Sequence, residues 1–103
     1  MKKKIAILGS TGSIGKTLIK IIREKKNDFN IILLTADKNY KEILKQAKNF
    51  NVPNLIITDK KSFNELKKKK LGKINIFSVF NNINCRVQSI YTSYRTHYII
   101  NFF

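Results

Sequence analysis

Three glycines spaced three residues apart are the residues of this chain whose type and spacing best fit a defined chemistry. Gly9, Gly12 and Gly15 lie in the run Gly-Ser-Thr-Gly-Ser-Ile-Gly, near the start of the 103-residue sequence. Glycine permits backbone angles that a side chain forbids, and it lets main-chain N–H groups approach a phosphate closely. The spacing is a variant of the Gly-x-Gly-x-x-Gly pattern, which binds the pyrophosphate of dinucleotides. The run therefore predicts a phosphate-binding turn with a dinucleotide as its ligand.

The segments on both sides of these glycines have the hydrophobic patterns of a strand and a helix. Residues 5–8 are an unbroken apolar run, which is typical of a strand buried on both faces of a parallel sheet. After the glycines, apolar residues recur at helical spacing and predict a helix over residues 14–25. Strand, turn and helix thus follow one another in the order that a dinucleotide-binding unit requires.

Two other interpretations of the glycine run stay open. The glycines could form a tight turn with a purely structural role. Gly15, Lys16 and Thr17 also match the end of a P-loop, Gly-x-x-x-x-Gly-Lys-Ser/Thr, but the first glycine of that motif falls on Ser10. The context of strand, turn and helix favours the dinucleotide interpretation over both.

A second group of polar residues follows the next predicted strand, which covers residues 29–34. Asp37 lies 22 residues after Gly15, close to the position where an acidic residue binds the ribose hydroxyls of NAD. Lys38 and Asn39 favour the opposite choice, because a cation and an amide suit the additional 2′-phosphate of NADP. In a third interpretation, Asn39 caps the following helix and its two neighbours are exposed loop residues.

The remaining pattern alternates between helices and strands. Helical spacing of apolar residues predicts a second helix over residues 40–50, and residues 55–57 form a third apolar strand. Ser62 and Glu65 have the spacing of a capping box and predict the start of a third helix, before a fourth strand at residues 74–77. This order indicates the α/β class: an incomplete Rossmann-type, doubly wound parallel sheet in a three-layer α/β/α arrangement.

Composition limits the partners and the location expected of this chain. The formal net charge is +15, but lysines are spread through every predicted helix and loop, so a solvated basic surface is favoured over nucleic-acid binding. A small basic nucleic-acid-binding protein stays the alternative from a different functional class. The single Cys85 excludes an internal disulfide, and no apolar run has the length of a signal peptide or a membrane span. We expect a cytoplasmic protein with no membrane partner.

Several segments of the chain resemble the N-terminal part of the 1-deoxy-D-xylulose 5-phosphate reductoisomerase family. The glycine run joined to a Lys-Asn pair after the second strand is far more specific than a glycine turn alone. The segments that agree are residues 4–15, Arg23 with Phe29, Ala36 with Lys38 and Asn39, Gln46 and Ala47 with Phe50, and the strand that leads to Asp59. We therefore expect an NADP-binding Rossmann segment at residues 1–78 and a tail without family resemblance at residues 79–103.

The resemblance implies an NADPH-dependent oxidoreductase of the non-mevalonate pathway of isoprenoid biosynthesis. Enzymes of this family convert 1-deoxy-D-xylulose 5-phosphate to 2-C-methyl-D-erythritol 4-phosphate, and they are homodimers. For this chain, the resemblance implies that only the cofactor-binding part of such an enzyme is present.

The resemblance also implies a set of residues that bind NADPH. Thr11, Gly12, Ser13 and Ile14 would contact its phosphates and nicotinamide side, and the Lys-Asn pair would hold its 2′-phosphate. The complete candidate site is Gly9, Thr11, Gly12, Ser13, Ile14, Gly15, Ala36, Asp37, Lys38 and Asn39. The family usually has glycine where this chain has Asp37, and a carboxylate beside a 2′-phosphate is repulsive. Asp37 is therefore expected to weaken NADPH binding.

The metal site of the family is expected to lie outside this chain. Family enzymes hold Mg2+ or Mn2+ with Asp and Glu residues of a later domain, whereas this chain has no Asp or Glu after Glu65. Its last 38 residues therefore cannot supply the oxygen ligands that a hard cation needs. We expect no catalytic residues here, and no conversion of the sugar phosphate by this chain alone.

The tail allows three interpretations. Interleaved Arg and Tyr residues could stack on single-stranded nucleic acid, and Tyr91, Tyr94 and Tyr98 at helical spacing could face a core. The favoured interpretation is a frame change in a gene for the whole enzyme, which leaves a remnant with a short unrelated tail. His97 is expected to have no catalytic or metal-binding role, because no carboxylate lies near it in the sequence.

Overall fold

Strands and helices alternate from the N-terminus, as the hydrophobic patterns predict. A computed structural model describes residues 2–25, 27–69, 72–78, 90 and 98–101 of the chain. In chain order the elements are β1 (Lys3–Leu8), α1 (Ser13–Glu24), β2 (Phe29–Ala36), α2 (Tyr40–Phe50), β3 (Asn54–Ile57), α3 (Lys60–Lys67), β4 (Asn75–Ser78) and β5 (Tyr98–Asn101). Within this part of the chain, no helix has the length and apolar character that crossing a membrane requires.

All five strands run parallel in one sheet, in the order β4-β3-β2-β1-β5. Parallel strands need crossover connections, and helices α1, α2 and α3 supply the first three of them. The predicted α/β class with a Rossmann-type parallel sheet is confirmed. β5 lies in the tail, where the sequence patterns specify no strand. Because β5 pairs with β1, the strand order reverses between these two strands.

Apolar side chains cover both faces of the sheet. Successive residues of a strand point to opposite faces, so alternate residues of β1 enter two different clusters. One cluster joins Ile5 and Ile7 to buried residues of all three helices, including Ile19, Ile22, Ile43, Ala47 and Leu66. The other cluster, on the opposite face, contains Ala6, Leu8, Ile32, Leu33, Ile56 and Ile90. Burial on both faces explains why the central strands are continuous apolar runs.

An irregularity in the pairing of β1 with β2 fixes which residues of β2 face each side. Ile5 pairs with Ile31. The next pair joins Ala6 to Leu33, so Ile32 is an extra residue in β2. Ile32 and Leu33 consequently both belong to the cluster on the face away from the helices. The sequence gives no sign of this bulge, because the residues around it are apolar whichever face they take.

Of the helices α1, α2 and α3, two begin with a side-chain cap. Asn39 Oδ1 accepts a hydrogen bond from Glu42 N at 3.2 Å at the start of α2. Asp59 Oδ2 accepts one from Ser62 N at 3.0 Å at the start of α3. The N-cap of α1 is instead Gly12. This helix has no side-chain cap and no acidic residue in its first turn. The first N–H groups of α1 are therefore available to a ligand.

Helix α3 begins earlier than the sequence patterns predict. The predicted capping box of Ser62 with Glu65 is wrong, because α3 starts at Lys60. Asp59 takes the capping position, where its carboxylate both accepts a backbone hydrogen bond and complements the positive end of the helix dipole. The Ser62 hydroxyl lies 2.8 Å from Asp59 Oδ2 and 3.0 Å from Lys38 O, and can donate to either. Ser62 thus links the start of α3 to the loop after β2.

Hydrogen bonds at this cap change the acidity of Asp59. The hydroxyl and the backbone N–H of Ser62 hold the pKa of Asp59 below its ordinary value of 3.8, and the positive charges of Lys38 and Lys61 add to this effect. Desolvation opposes the hydrogen bonds and is smaller than they are. Because folding lowers this pKa, the ionised cap stabilises the fold above the unfolded-state pKa. That contribution is lost as the pH falls through the folded-state value.

Ser62→Ala is expected to raise the pKa of Asp59 toward 3.8, because it removes the largest of the effects that lower it. NMR titration of the Asp59 carboxyl carbon measures this pKa directly. Ser62→Thr keeps the hydroxyl and serves as the matched control. At neutral pH, Ser62→Ala should unfold more easily than the wild-type chain, and the difference should narrow on acidification. An unchanged Asp59 pKa in Ser62→Ala would contradict this account of the cap.

Candidate functional site

The glycine run forms a turn that starts where β1 ends. Gly9 has a φ of 80°, in the left-handed region that favours glycine. Its N–H donates to the backbone oxygen of Thr35 at 3.1 Å and lies 2.9 Å from Thr35 Oγ1. Ser10 N donates to the same backbone oxygen at 3.1 Å. Thr35, near the end of the neighbouring strand β2, thus fixes the start of the turn.

Helix α1 packs directly against the backbone of this turn at Gly15. A Cβ atom at this position would lie 2.5 Å from Gly9 O and 2.7 Å from both the Cα and the carbonyl carbon of Ser10. All three contacts are backbone atoms, so a side chain would fit only if the helix and the turn moved apart. Packing within the protein therefore requires Gly15, whatever the ligand.

A buried glutamine of α2 holds the turn from another side. Gln46 is 4% exposed, and its Nε2 donates to Ser10 O at 3.0 Å. Neither Gln46 nor Thr35 is among the predicted site residues. The sequence does carry a signal for Gln46, because it shares the apolar face of α2 with Ile43 and Ala47, where a polar residue needs a hydrogen-bond partner. The sequence does not single out Thr35 in this way, because Thr35 directly follows a predicted apolar strand.

Gly12 differs from Gly15 because the protein itself leaves room for a side chain there. Its φ of −72° and ψ of 171° are open to any residue. Among the described residues beyond its chain neighbours, an added Cβ atom would come no closer than 3.9 Å, to Gly9 O. The unpaired N–H groups and the dipole of α1 favour an anion at this point. The space over Gly12 therefore fits the close approach of a phosphate group.

Of the four side chains between the glycines, Ser10 is buried and the other three are partly or fully exposed. Thr11 is half-buried, Ser13 is exposed and Ile14 is 65% exposed. Such an exposed aliphatic side chain beside a polar turn offers apolar surface to a ligand. Lys16 follows in α1, and its Nζ lies 3.8 Å from Glu42 Oε1 of α2. In a P-loop this lysine would reach the phosphates, whereas here it lies beside Glu42.

The residues predicted to meet the ribose follow β2. Ala36 is buried at its end, and Asp37, Lys38 and Asn39 are exposed in the loop that leads to α2. Asn39 caps α2 through Oδ1, as one interpretation of the sequence predicts. Its Nδ2 has no partner within the part of the chain that the structure describes. Thr58 Oγ1 donates to Asp37 Oδ1 at 2.6 Å, a contact that sequence reasoning missed.

The glycine turn and this loop lie at the same edge of the sheet. They follow the carboxyl ends of β1 and β2, which pair in parallel through Leu8 and Thr35. In open parallel sheets, ligands bind outside the carboxyl ends of the strands, at the point where the strand order reverses. Here that point lies between β1 and β5, directly beside the glycine turn. The structure thus brings the predicted site residues together at one edge.

The described residues contain no group of three or more His, Cys, Asp or Glu side chains that could hold a metal ion. The predictions about Cys85, Tyr91, Tyr94 and His97 fall outside the described residues. Tyr98 belongs to β5 and is 53% exposed.

The strand order, the glycine turn at its reversal point and the uncapped start of α1 together define a Rossmann-type dinucleotide-binding domain. A model of the family described as 1-deoxy-D-xylulose 5-phosphate reductoisomerase matches residues 5–100. The chain therefore belongs to the 1-deoxy-D-xylulose 5-phosphate reductoisomerase family, as the resemblance of its motifs predicts. This family consists of NADPH-dependent enzymes, so membership does not favour the alternative prediction of a small basic nucleic-acid-binding protein. The division of the chain at residue 78 stays a prediction.

Individual relatives agree with this assignment. The chain is 52% identical over 83 residues to the 1-deoxy-D-xylulose 5-phosphate reductoisomerase of Pelagibacter ubique, a match that covers 80% of this chain and 21% of the relative. The Zymomonas mobilis enzyme in complex with NADPH superposes with a TM-score of 0.71 and 28% identity, over 76% of this chain and 21% of that one. A DOX-P reductoisomerase in complex with magnesium gives a TM-score of 0.78 and 25% identity, over 96% and 24% of the two chains. The chain spans about a fifth of the length of the curated relatives it matches.

Alanine substitutions at two glycines of the turn are expected to have different effects on stability. Gly15→Ala should lower the free energy of unfolding by about 1–3 kcal/mol, because its Cβ atom overpacks against backbone. Gly12→Ala should lower it by less, about 0.5–1 kcal/mol, because the site has room and the cost is only that of Ala in place of Gly at an N-cap. Urea denaturation followed by circular dichroism measures both. Equal destabilisation by the two variants would contradict the distinction between the two glycines.

Proposed function

We propose that this chain binds NADPH through the glycine turn and the loop after β2. The observation that carries the proposal is the free space over Gly12 at an uncapped helix N-terminus, where neither backbone angles nor protein packing require glycine. The NADPH complex of the similar Zymomonas mobilis enzyme supports this choice of cofactor. The proposed cofactor-binding segment covers residues 1–78.

Each part of the cofactor would meet residues suited to its chemistry. Backbone N–H groups of Thr11, Gly12 and Ser13 would donate to the pyrophosphate. Ile14 would offer its exposed apolar side chain to the nicotinamide side. The Lys-Asn pair after β2 would hold the 2′-phosphate, with the ammonium of the lysine and Nδ2 of Asn39 as donors.

The other candidate residues contribute by shaping the site. Gly9 and Gly15 permit the turn and its contact with α1, and the buried Ala36 ends β2 beside it. Thr35 and Gln46 hold the turn through hydrogen bonds within the protein. These contacts limit the freedom that the turn has to lose when a cofactor binds, which favours affinity.

The chemistry proposed for this chain is only part of the reaction of the complete family enzymes. NADPH supplies a hydride when it is bound, and the residues of this chain would bind and orient it. We propose no catalytic residue here, so conversion of 1-deoxy-D-xylulose 5-phosphate would require the catalytic and metal-binding part of a longer family enzyme. The cytoplasmic location is likewise a proposal, whereas the homodimer is a property of the family enzymes and is not proposed for this chain.

Calorimetric titration with NADPH and NADH tests the proposal. The wild-type chain should bind NADPH, and Gly12→Asp should bind it at least about tenfold more weakly, because its carboxylate repels the phosphates. Asn30→Asp is the matched control. It adds the same charge at an exposed residue near the amino end of β2, at the opposite edge of the sheet, and should bind like the wild-type chain. A folded wild-type chain that binds neither cofactor would contradict the proposal and favour a non-functional remnant.

A further inference from the structure

Three hydrogen bonds join the loops after β2 and β3, beside the proposed position of the 2′-phosphate. Thr58 N donates to Ala36 O at 3.1 Å, and Asp59 N donates to Asp37 O at 3.2 Å. The Thr58 hydroxyl donates to Asp37 Oδ1 at 2.6 Å, a length typical of a strong hydrogen bond to a carboxylate. The Asp37 carboxylate is thereby held toward the end of β3.

Asp37 brings a negative charge next to residues proposed to bind a phosphate. A carboxylate and the 2′-phosphate of NADPH repel each other. NADH has no phosphate at this position, and its adenosine ribose hydroxyls can donate hydrogen bonds to a carboxylate. Lys38 also acts on Asp59, whose pKa it helps to lower. The local charges therefore weaken NADPH relative to NADH, unless the Asp37 carboxylate is kept away.

We propose that Thr58 is a positioning residue that sets the preference of this chain between NADPH and NADH. Its hydroxyl keeps the Asp37 carboxylate on the β3 side, away from the position that Lys38 and Asn39 give to the 2′-phosphate. Without the hydroxyl, the carboxylate is free to turn toward that position and to repel the phosphate. The inference rests on the proposed function, because it concerns the same cofactor site.

Calorimetric titration of Thr58 and Asp37 variants with NADPH and NADH tests this role. Thr58→Val removes the donor with little change in shape, and should weaken NADPH about three- to tenfold while NADH stays within about twofold. Thr58→Ser keeps the donor and should retain the wild-type ratio of the two affinities. Asp37→Asn removes the charge that Thr58 already holds away from the phosphate, and should therefore strengthen NADPH by only about twofold, with a smaller gain at high salt.

The double variant separates a positioning role from a structural one. If Thr58 acts through the Asp37 carboxylate, Thr58→Val should leave the affinity ratio unchanged in the Asp37→Asn background. Equal weakening of NADPH and NADH by Thr58→Val, or a change of the ratio in the Asp37→Asn background, would overturn the inference. Should Thr58→Val fail to fold, Thr58→Ala replaces it against the Thr58→Ser control, and an unchanged affinity ratio in Thr58→Ala overturns the inference.

The same titrations distinguish failure of this inference from failure of the proposed function. A folded wild-type chain that binds neither dinucleotide overturns both. Binding that Gly12→Asp abolishes, together with an affinity ratio that does not respond to Thr58→Val or Asp37→Asn, overturns the role of Thr58 alone.

Discussion

The close contact between helix α1 and the turn before it is the constraint on which the rest of the site depends. No space for a Cβ atom exists at Gly15 against the backbone of Gly9 and Ser10, so the helix starts directly over the end of β1. This contact aims the uncapped N-terminus of α1 at the edge of the sheet where the loop after β2 lies. Thr35 of β2 also accepts a hydrogen bond from this turn, and Gln46 of α2 donates one to it. Elements distant in sequence therefore fix one short loop together.

Parallel topology also concentrates acidic residues at this edge. Every helix that follows a parallel strand begins at the carboxyl edge of the sheet, where its positive end favours acidic side chains. Glu42 lies in the first turn of α2, Asp59 caps α3, and Asp37 follows β2. These are three of the six acidic residues in a chain with a formal net charge of +15. Half of the acidic residues thus lie at the edge proposed to bind a phosphorylated cofactor, which makes the placement of each carboxylate important.

Local sequence patterns predicted most of the fold, and they failed where distant contacts decide. Helix α3 starts at Lys60 rather than at Ser62, because Asp59 caps it and the Ser62 hydroxyl is directed at Asp59 and the loop after β2. The bulge at Ile32 is invisible in a run of apolar residues, since both faces of the sheet are buried. In each case the local pattern was compatible with two structures, two start points for the helix or two registers for the strand. Contacts with another element selected one of them.

The sequence by itself determined the glycine turn, the strand before it and the helix after it, because these depend on backbone freedom and on hydrophobic spacing within a few residues. It also determined the α/β class and the family, through motifs that are contiguous or nearly so. Only the tertiary structure decided that β5 pairs with β1 and creates the reversal point beside the turn. It likewise decided that Gln46 holds Ser10, and that Thr58 holds Asp37. These contacts join residues more than 20 positions apart, and hydrophobic periodicity carries no information about which distant partners meet.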